Sequence, residues 1–196
     1  MKYAPQEIRT FFITSVANGR RPLFKKEEMA RLFLDVLQDY RGQGRYQLHE
    51  FVVMPDHFHL IVTPAADVSL EKAGQYIKGG FSFRVKRELA FRSLVWQEKS
   101  FINHRIRDAD DYQKHRDYIH NNAVKAGLVK TPSEYPYSSA FPGTEVDPAP
   151  PALKRIFKNT LFTALKGRSS TVVALKRIFK IPSSRTEAPF FHPSSC

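Results

Sequence analysis

Two histidines separated by a single residue, His57 and His59, are the first side chains in this sequence that could do chemistry together. On a β-strand, residues i and i+2 point to the same face, so both imidazoles can reach one metal ion. Phe58 between them would then turn to the opposite face and into the core. Taken alone, the pair also fits two surface histidines on a strand, so a metal site needs the support of a second group of residues.

That second group lies in the segment 117–129, DYIHNNAVKAGLV. If 108–122 is helical, Tyr118 and Asn122 lie four residues apart on one face and could present a phenol and an amide oxygen to the same ion. Such a set suits phosphoryl transfer, in which a divalent ion polarises a phosphodiester oxygen and a phenolate attacks in line. The phenol needs a nearby cation or base, because its ordinary pKa is about 10. A packing role in the helix is the alternative interpretation of Tyr118.

The hydrophobic pattern predicts the elements that must position these groups. In chain order they are a strand over 9–16, an amphipathic helix over 25–40, strands over 46–53 and 58–62, a helix capped by Ser69 and running towards Ala90 with a weak point at Gly79-Gly80, an extended segment over 95–106 and a helix over 108–122. A βαββαβ core with one added helix is typical of an α+β, ferredoxin-like fold, an antiparallel sheet with helices on one face. That architecture supports many functions, so function has to be argued from the site.

Composition narrows the class of partner. The 196 residues carry a net charge of +12 and a pI near 9.9, which favours nucleic acid first and an anionic membrane surface second. No apolar run approaches the roughly 18 residues of a membrane span, so stable membrane insertion is not expected. The only cysteine is Cys196, which excludes an intrachain disulfide and a zinc site built from cysteines. We expect a cytoplasmic protein.

The charge is concentrated near the end of the sequence. Nine basic residues against Glu187 alone follow residue 150, a net +8 of the total +12. A Pro-rich stretch at 142–151, PGTEVDPAPP, predicts a linker between a domain over 1–145 and a basic tail over 146–196. The tail contains the heptapeptide ALKRIFK twice, 22 residues apart. Each copy could form a cationic amphipathic helix that contacts DNA or a membrane surface, or the tail could be a loosely ordered duplicated extension.

Two long motifs resemble a known family. The stretch HEFVVMPDHFHLIV at 49–62, followed by YIHNNAVKAGLV at 118–129, is similar to the REP-associated tyrosine transposases. These are single-tyrosine members of the HUH endonucleases, named for histidine, hydrophobic residue, histidine. Further matches are Trp96-Gln97, Phe101, HRIRD at 104–108, Asp111-Tyr112 and YPYSS at 135–139. The resemblance covers about residues 8–142, and two ordered motifs at the expected separation make it specific.

The resemblance implies a role for each member of the candidate site. His57 and His59 would be metal ligands with Asn122 as the third protein ligand, and the ion would be Mg²⁺ or Mn²⁺. Imidazoles are unusual ligands for Mg²⁺, so manganese fits the ligands at least as well. Tyr118 would be the nucleophile, forming a 5′-phosphotyrosine link to single-stranded DNA and freeing a 3′-OH. Family substrates are imperfect palindromic hairpins cleaved beside a short guide tetranucleotide, and members with one tyrosine act as monomers or homodimers.

Two positions depart from the usual family pattern. Ala123 stands where the family usually has proline after the ligand asparagine, and Asp56 stands where asparagine is common. Loss of the proline removes a helix stop, so the tyrosine helix could continue or shift slightly. Asp56 adds negative charge beside the proposed ion, which could tighten ion binding or simply cap the turn. Neither change removes a catalytic group.

Basic residues interleaved with aromatics predict contacts with DNA. The segment YIKGGFSFRVKR at 76–87 has this pattern, and an aromatic there could stack on an unpaired base for about 1–3 kcal/mol. The residues predicted to contact phosphates are Lys78, Arg84, Lys86, Arg87, Arg105 and Arg107. The alternative is a helix with its charges solvated.

The sequence thus predicts a metal-dependent transposase or endonuclease that nicks and rejoins single-stranded DNA hairpins. A non-catalytic nucleic-acid-binding protein on the same scaffold is the second hypothesis, and a membrane-surface protein acting through the tail is the third.

Overall fold

The computed structural model of the chain describes residues 9–150 and Leu153. The strands are β1 (Phe11–Val16), β2 (Tyr46–Val53), β3 (His57–Pro64) and β4 (Ile102–Arg105). The α-helices are α1 (Glu27–Gly42), α2 (Leu70–Gly74), α3 (Gly80–Glu88), α4 (Ala109–His120) and α5 (Asn122–Lys125). A π-helical turn, Gln75–Gly79, joins α2 to α3, and single 3-10 turns occur at Asn18–Arg20, Leu23–Lys25 and Pro132–Glu134.

The four strands form one antiparallel sheet in the order β2-β3-β1-β4. The first and third strands of the chain are therefore central, and the second and fourth are edges. With helices between β1 and β2 and between β3 and β4, this is the βαββαβ order of a ferredoxin-like fold. The predicted α+β class and the added helix α4 are confirmed.

One face of the sheet is covered by α1 and α3 and is filled with aromatic side chains. Phe33 of α1 lies with its ring 4.9 Å from that of Phe58 and 5.2 Å from that of Phe81. Trp96 closes the cluster, 5.4 Å from Phe58. Full burial of each such side chain is worth about 1.5–3 kcal/mol, so this face contributes most of the apolar stabilisation of the sheet.

The predicted helix between β3 and β4 begins as expected but is not regular. The hydroxyl oxygen of Ser69 accepts from the amide of Lys72 at 3.1 Å, which confirms the cap. The helix widens into the π-turn before Gly80, near the predicted weak point. A Cβ on Gly80 would meet the Tyr40 ring at 2.5 Å, so α1 and α3 can approach this closely only because glycine stands there. The segment predicted as extended over 95–106 pairs as a strand only in β4.

The opposite face of the sheet is covered by α4. Its buried residue Ile119 packs in a second apolar cluster with Val52 of β2 and Ile61 of β3. Asp108 caps the helix by accepting the amide of Asp111 at 2.9 Å. The sequence predicted a helix to residue 122, but α4 ends at His120 and α5 starts at Asn122.

The break between α4 and α5 has a local cause. The side-chain amide of Asn121 donates to the Asp117 carbonyl at 2.9 Å, and such back-bonding competes with the helical ladder. Ala123 is 1% exposed in the second apolar cluster. Loss of the family proline does not extend α4, because that helix ends at His120 although residue 123 is alanine.

Residues after α5 return to the free edge of β2. The amide of Val53 donates to the Tyr137 carbonyl at 2.8 Å, and the amide of Ser139 donates to the Phe51 carbonyl at 2.9 Å. The amide of Leu48 donates to the Asp147 carboxylate at 2.7 Å. Part of the Pro-rich stretch predicted as a linker thus contacts the sheet.

The predicted division into 1–145 and 146–196 stays a prediction. Residues 146–150 and the buried Leu153 are described, but the rest of the predicted tail lies outside the described residues. Within 9–150, no helix is long and apolar enough to cross a membrane.

Candidate active site

His57 and His59 lie on β3, opposite Val16 and Thr14 of β1. Their ring centroids are 4.9 Å apart with the planes at 76°. Phe58 points to the other face, where it is fully buried in the aromatic cluster. The strand geometry predicted for the pair is the one observed, and both imidazoles lie on the face covered by α4.

Each histidine has its Nδ1 atom engaged by a neighbour. The Asp56 carboxylate lies 2.5 Å from Nδ1 of His57, and the Thr14 hydroxyl lies 2.7 Å from Nδ1 of His59. These contacts orient the rings and leave both Nε2 atoms available to a ligand, which is the usual arrangement for histidines that bind metal. Asp56 also pairs with Arg20 at 3.3 Å. Its carboxylate therefore supports His57 rather than only capping the turn.

The electrostatics of the pair suit a metal ligand. Burial, with a smaller effect of His57, lowers the pKa of His59 to about 3, so this imidazole is neutral at neutral pH. Neutral imidazole is the form that binds metal. Burial by itself acts to raise the pKa of Asp56, but hydrogen bonds with His57 and Arg20 outweigh it and hold that pKa below its usual value. Asp56 is therefore ionised beside His57.

Tyr118 on α4 reaches the same place from the covering helix. Its hydroxyl lies 3.4 Å from Nε2 of His59, and the side chain is 40% exposed. Phe12 of β1 supports both residues, with its ring 5.3 Å from His59 and 6.0 Å from Tyr118. An open hollow of about 640 Å³ lies beside the phenol and is lined by Tyr118, Asp117 and Lys125, among others. A substrate can approach the phenol from this side.

Lys125 is a cation close to the Tyr118 phenol. The sequence analysis predicted that the phenol needs a nearby cation or base, but it did not identify this residue. Its ammonium group lies 5.6 Å from the centroid of the Tyr118 ring, within the range of a cation–π contact. The available signal was the spacing of seven residues, two helical turns, although the break at Asn121 makes that spacing unreliable.

Asn122 is not joined to the other three candidate residues by any hydrogen bond in the part of the chain that the structure describes. It is half-buried at the start of α5. The structure thus brings together His57, His59 and Tyr118. Because α4 ends before Asn122, the expected spacing of four residues along one straight helix does not hold.

Most of the predicted DNA contacts on α3 are engaged within the protein. Arg84 pairs with Asp39 at 2.8 Å and with Glu88 at 2.9 Å, and Arg87 pairs with Glu88 at 2.7 Å. Lys86 is exposed. The helix packs on the aromatic face of the sheet, opposite to the face that carries His59.

Lys78, also predicted to contact phosphates, is half-buried. Its ammonium group lies 5.7 Å from the centroid of Trp96 and 5.9 Å from that of Phe101. Burial lowers the pKa of Lys78. The same ammonium group donates to the Ser100 hydroxyl at 3.4 Å.

A second cluster of titratable side chains surrounds Asp111 at the start of α4. His104, Asp111 and His115 bring three possible ligand atoms within 4.8 Å of one another. However, Arg107 contacts the Asp111 carboxylate at 3.1 Å, and Nδ1 of His115 lies 2.7 Å from the Asp111 carbonyl. Since the carboxylate is already balanced by a guanidinium, the cluster is better explained as a hydrogen-bond network that fixes the start of α4.

The four-stranded antiparallel sheet presents a His-x-His pair to a tyrosine on a covering helix, which agrees with the arrangement that the sequence resemblance implied. The family described as "Transposase IS200 like" matches residues 10–122. The chain belongs to this family of transposases and is therefore an enzyme of DNA transposition.

Individual relatives agree with this assignment. A REP-associated tyrosine transposase of Escherichia coli (strain K12) is 30% identical over 131 residues, which are 66% of this chain and 75% of the relative. A solved structure described as a REP-associated tyrosine transposase bound to a REP hairpin aligns with a TM-score of 0.55 at 28% identity. That alignment covers 78% of this chain and 94% of the solved one. The resemblance inferred from the two motifs is confirmed.

Proposed function

We propose that this transposase nicks and rejoins single-stranded DNA at hairpins by forming a covalent bond between Tyr118 and a DNA 5′-phosphate. The observation that carries the proposal is the 3.4 Å approach of the Tyr118 hydroxyl to Nε2 of His59. The proposed nucleophile thus lies against the oriented imidazole pair, and an open hollow lies beside its phenol. A phenol held next to possible metal ligands and open to a substrate suits attack on a phosphodiester.

In the first step, the Tyr118 oxygen forms a bond to phosphorus as its proton leaves to solvent. The bond from phosphorus to the 3′ oxygen of the preceding nucleotide breaks, and that oxygen takes up a proton as a free 3′-OH. Attack of a 3′-OH on the phosphotyrosine reverses the step and rejoins a strand. Lys125 stabilises the phenolate through its position over the ring.

The donor set fits a divalent ion. His57 and His59 would hold it through Nε2, because their Nδ1 atoms are engaged by Asp56 and Thr14. When bound, the ion polarises the phosphodiester oxygen and stabilises charge in the transition state. Asn122 is proposed as the third protein ligand, and two imidazoles favour Mn²⁺ at least as much as Mg²⁺.

Hairpin DNA as the substrate is supported by charge and by likeness. The net charge of +12 suits a polyanion. A structure aligned over 78% of this chain is described as bound to a REP hairpin. Among the six predicted phosphate contacts, Lys86 is exposed, whereas Arg84 and Arg87 would have to exchange their carboxylate partners for phosphates.

The proposal is tested with the full chain, a labelled single-stranded hairpin oligonucleotide from its own genomic flanks, and Mn²⁺ or EDTA. We expect a metal-dependent, SDS-resistant adduct that Tyr118→Phe abolishes while hairpin binding persists. Tyr112→Phe is the matched control, since it makes the same change in the same helix at a buried side chain and should keep the adduct.

Two other outcomes would contradict the proposal, and each would favour a different interpretation. An adduct that survives Tyr118→Phe would show that another group is the nucleophile. Hairpin binding without any adduct, with or without Mn²⁺, would favour the non-catalytic nucleic-acid-binding protein on the same scaffold.

A further inference from the structure

A β-bulge in β2 turns a carboxylate towards the tyrosine helix. Leu48 pairs with Val62 and Glu50 pairs with Ile61, so one extra residue lies between them in β2. A bulge of this kind shifts the alternation of the strand and re-aims a side chain. It places Glu50 under α4, on the same face as Ile61, although Glu50 is a charged residue in a strand whose neighbours are mostly buried.

Glu50 is buried and its carboxylate is held by three donors. Nε of Arg116 lies 2.9 Å from Oε1, while Nε2 of His120 and the Ser139 hydroxyl each lie 2.7 Å from Oε2. The residue is only 7% exposed. Burial acts to raise its pKa, but hydrogen bonds from His120 and Ser139 outweigh it and keep the pKa below its ordinary value.

Two of those donors flank the proposed nucleophile on α4. Arg116 and His120 lie two residues before and two residues after Tyr118. With about 100° of turn per residue, they share one side of the helix and Tyr118 lies close to the opposite side. Glu50 thus binds the side of α4 that lies over β2. On the other side of the helix, Tyr118 contacts Phe12 and His59 of the two central strands. Any rotation of α4 about its axis would break the first contacts and move the phenol oxygen.

The network also includes the segment that follows the helix. The Ser139 amide and hydroxyl both bond Phe51, the neighbour of Glu50, with the amide donating to the Phe51 carbonyl at 2.9 Å. Ser139 belongs to the YPYSS sequence, one of the motifs that the proposed mechanism leaves unexplained.

We propose that Glu50 is a positioning residue that sets the rotation of α4 and thereby places the Tyr118 hydroxyl against the histidine pair. Replacing a buried ionic network by apolar packing is often neutral for stability, so stability alone does not account for a carboxylate here. Correct placement of a nucleophile does, because a misplacement of about 1 Å can cost about 100-fold in rate. This inference rests on the proposed function of Tyr118.

The test separates rate from binding. Glu50→Gln keeps the shape of the side chain but removes its charge. We expect the rate of adduct formation at saturating hairpin and Mn²⁺ to fall about 10- to 100-fold. The dissociation constant for the same hairpin in EDTA should stay within about threefold. Glu50→Asp, which keeps the charge, should recover part of the rate.

The matched control is Glu27→Gln, the same change at an exposed glutamate paired with Arg31 of α1. It should leave both readouts at the wild-type value. If Glu50→Gln cannot be purified, Ser139→Ala provides a second test. It removes one of the donors to Glu50 and should reduce the rate of adduct formation by a smaller factor than Glu50→Gln. An unchanged rate in Glu50→Gln, or equal losses of rate and affinity, would overturn the proposal.

Hydrogen exchange distinguishes a failure of this inference from a failure of the proposed function. If the wild-type chain forms no adduct, the proposed role of Tyr118 is wrong. The effect of the Glu50 hydrogen bonds on the stability of α4 can still be measured. Glu50→Gln should then speed amide exchange about tenfold in α4 and leave α1 unchanged, because that is the exchange expected when a local opening becomes easier. Equal exchange in α4 of both proteins would refute the role of Glu50.

Discussion

The two faces of the sheet use the same strands for different purposes. On β3, Phe58 turns to the face covered by α1 and α3, while His57 and His59 turn to the face covered by α4. The first face is an aromatic cluster closed by Trp96. The second carries the proposed chemistry. The pleat of one strand therefore separates the residues that stabilise the fold from those that react.

The two faces also differ in how they hold their helices. α1 and α3 are held by rings and by the close approach at Gly80. α4 has apolar contacts as well, but its two flanks are fixed by buried carboxylates, Asp111 at its start and Glu50 along its length. Apolar packing tolerates small rotations of a helix. A hydrogen-bonded carboxylate does not, because its hydrogen bonds require their donors to lie in specific directions. A helix that presents a nucleophile benefits from the second kind of attachment.

The largest expected effect is on the aromatic face. Phe81→Ala removes a fully buried ring from α3 and should lower the free energy of unfolding by about 3–5 kcal/mol, because it leaves a cavity between α1 and the sheet. Urea denaturation measures it. Phe83→Ala is the matched control, since it makes the same change two residues later at a ring that is 62% exposed.

The control should change stability by no more than about 0.5 kcal/mol. Similar losses for both variants would mean that α3 packs through the other side of the helix, and that the contrast between the two faces is drawn in the wrong place.

The contrast also explains what the sequence could predict. The strands, α1 and the start of α4 were predicted because their apolar residues repeat with the period of the element. The His57 and His59 geometry followed from the period of two on a strand. These are local patterns, and local patterns are visible in a sequence. The π-turn before Gly80 was visible only as a weak point, because its form depends on how closely Tyr40 approaches.

The polar networks could not be predicted, because they join residues that are far apart in the sequence. Glu50 and its donor Ser139 are 89 residues apart, and their meeting depends on a bulge that has no pattern of its own. The same holds for Arg84, whose carboxylate partners include Asp39 of another helix. A run of basic and aromatic residues predicts a DNA-binding surface equally well whether or not the protein itself neutralises those charges.

The second prediction tests the reactive face. His57→Ala should weaken Mn²⁺ binding by at least about 100-fold, because it removes a proposed ligand, and Asp56→Asn should weaken it by about tenfold, because it removes only the support of that ligand. Electron paramagnetic resonance titration of free Mn²⁺ measures both. His104→Ala is the control. A larger loss in His104→Ala than in His57→Ala would move the metal site to the cluster around Asp111.

The smallest expected effect lies at the edge of the sheet, where Asp147 joins α1 to β2. Its carboxylate accepts from Arg41 at 3.0 and 3.1 Å and from the Leu48 amide at 2.7 Å. Burial acts to raise the pKa of Asp147, but these hydrogen bonds outweigh it and hold the pKa below its usual value. The stabilisation is therefore complete above the unfolded pKa of about 3.9 and is lost as the pH falls through the lower pKa of the folded chain.

Asp147→Asn should accordingly lower the free energy of unfolding by about 1–2 kcal/mol at pH 7. The difference from the wild type should shrink as the pH is lowered below about 4, and urea denaturation across this range measures it. Glu145→Gln, at an exposed partner of the same arginine, should have little effect at any pH. A difference that persists unchanged into acid would mean that Asp147 acts through its packing rather than its charge. The Pro-rich segment would then be attached to the sheet mainly by packing, as α1 and α3 are, and not by a hydrogen-bonded carboxylate, as α4 is.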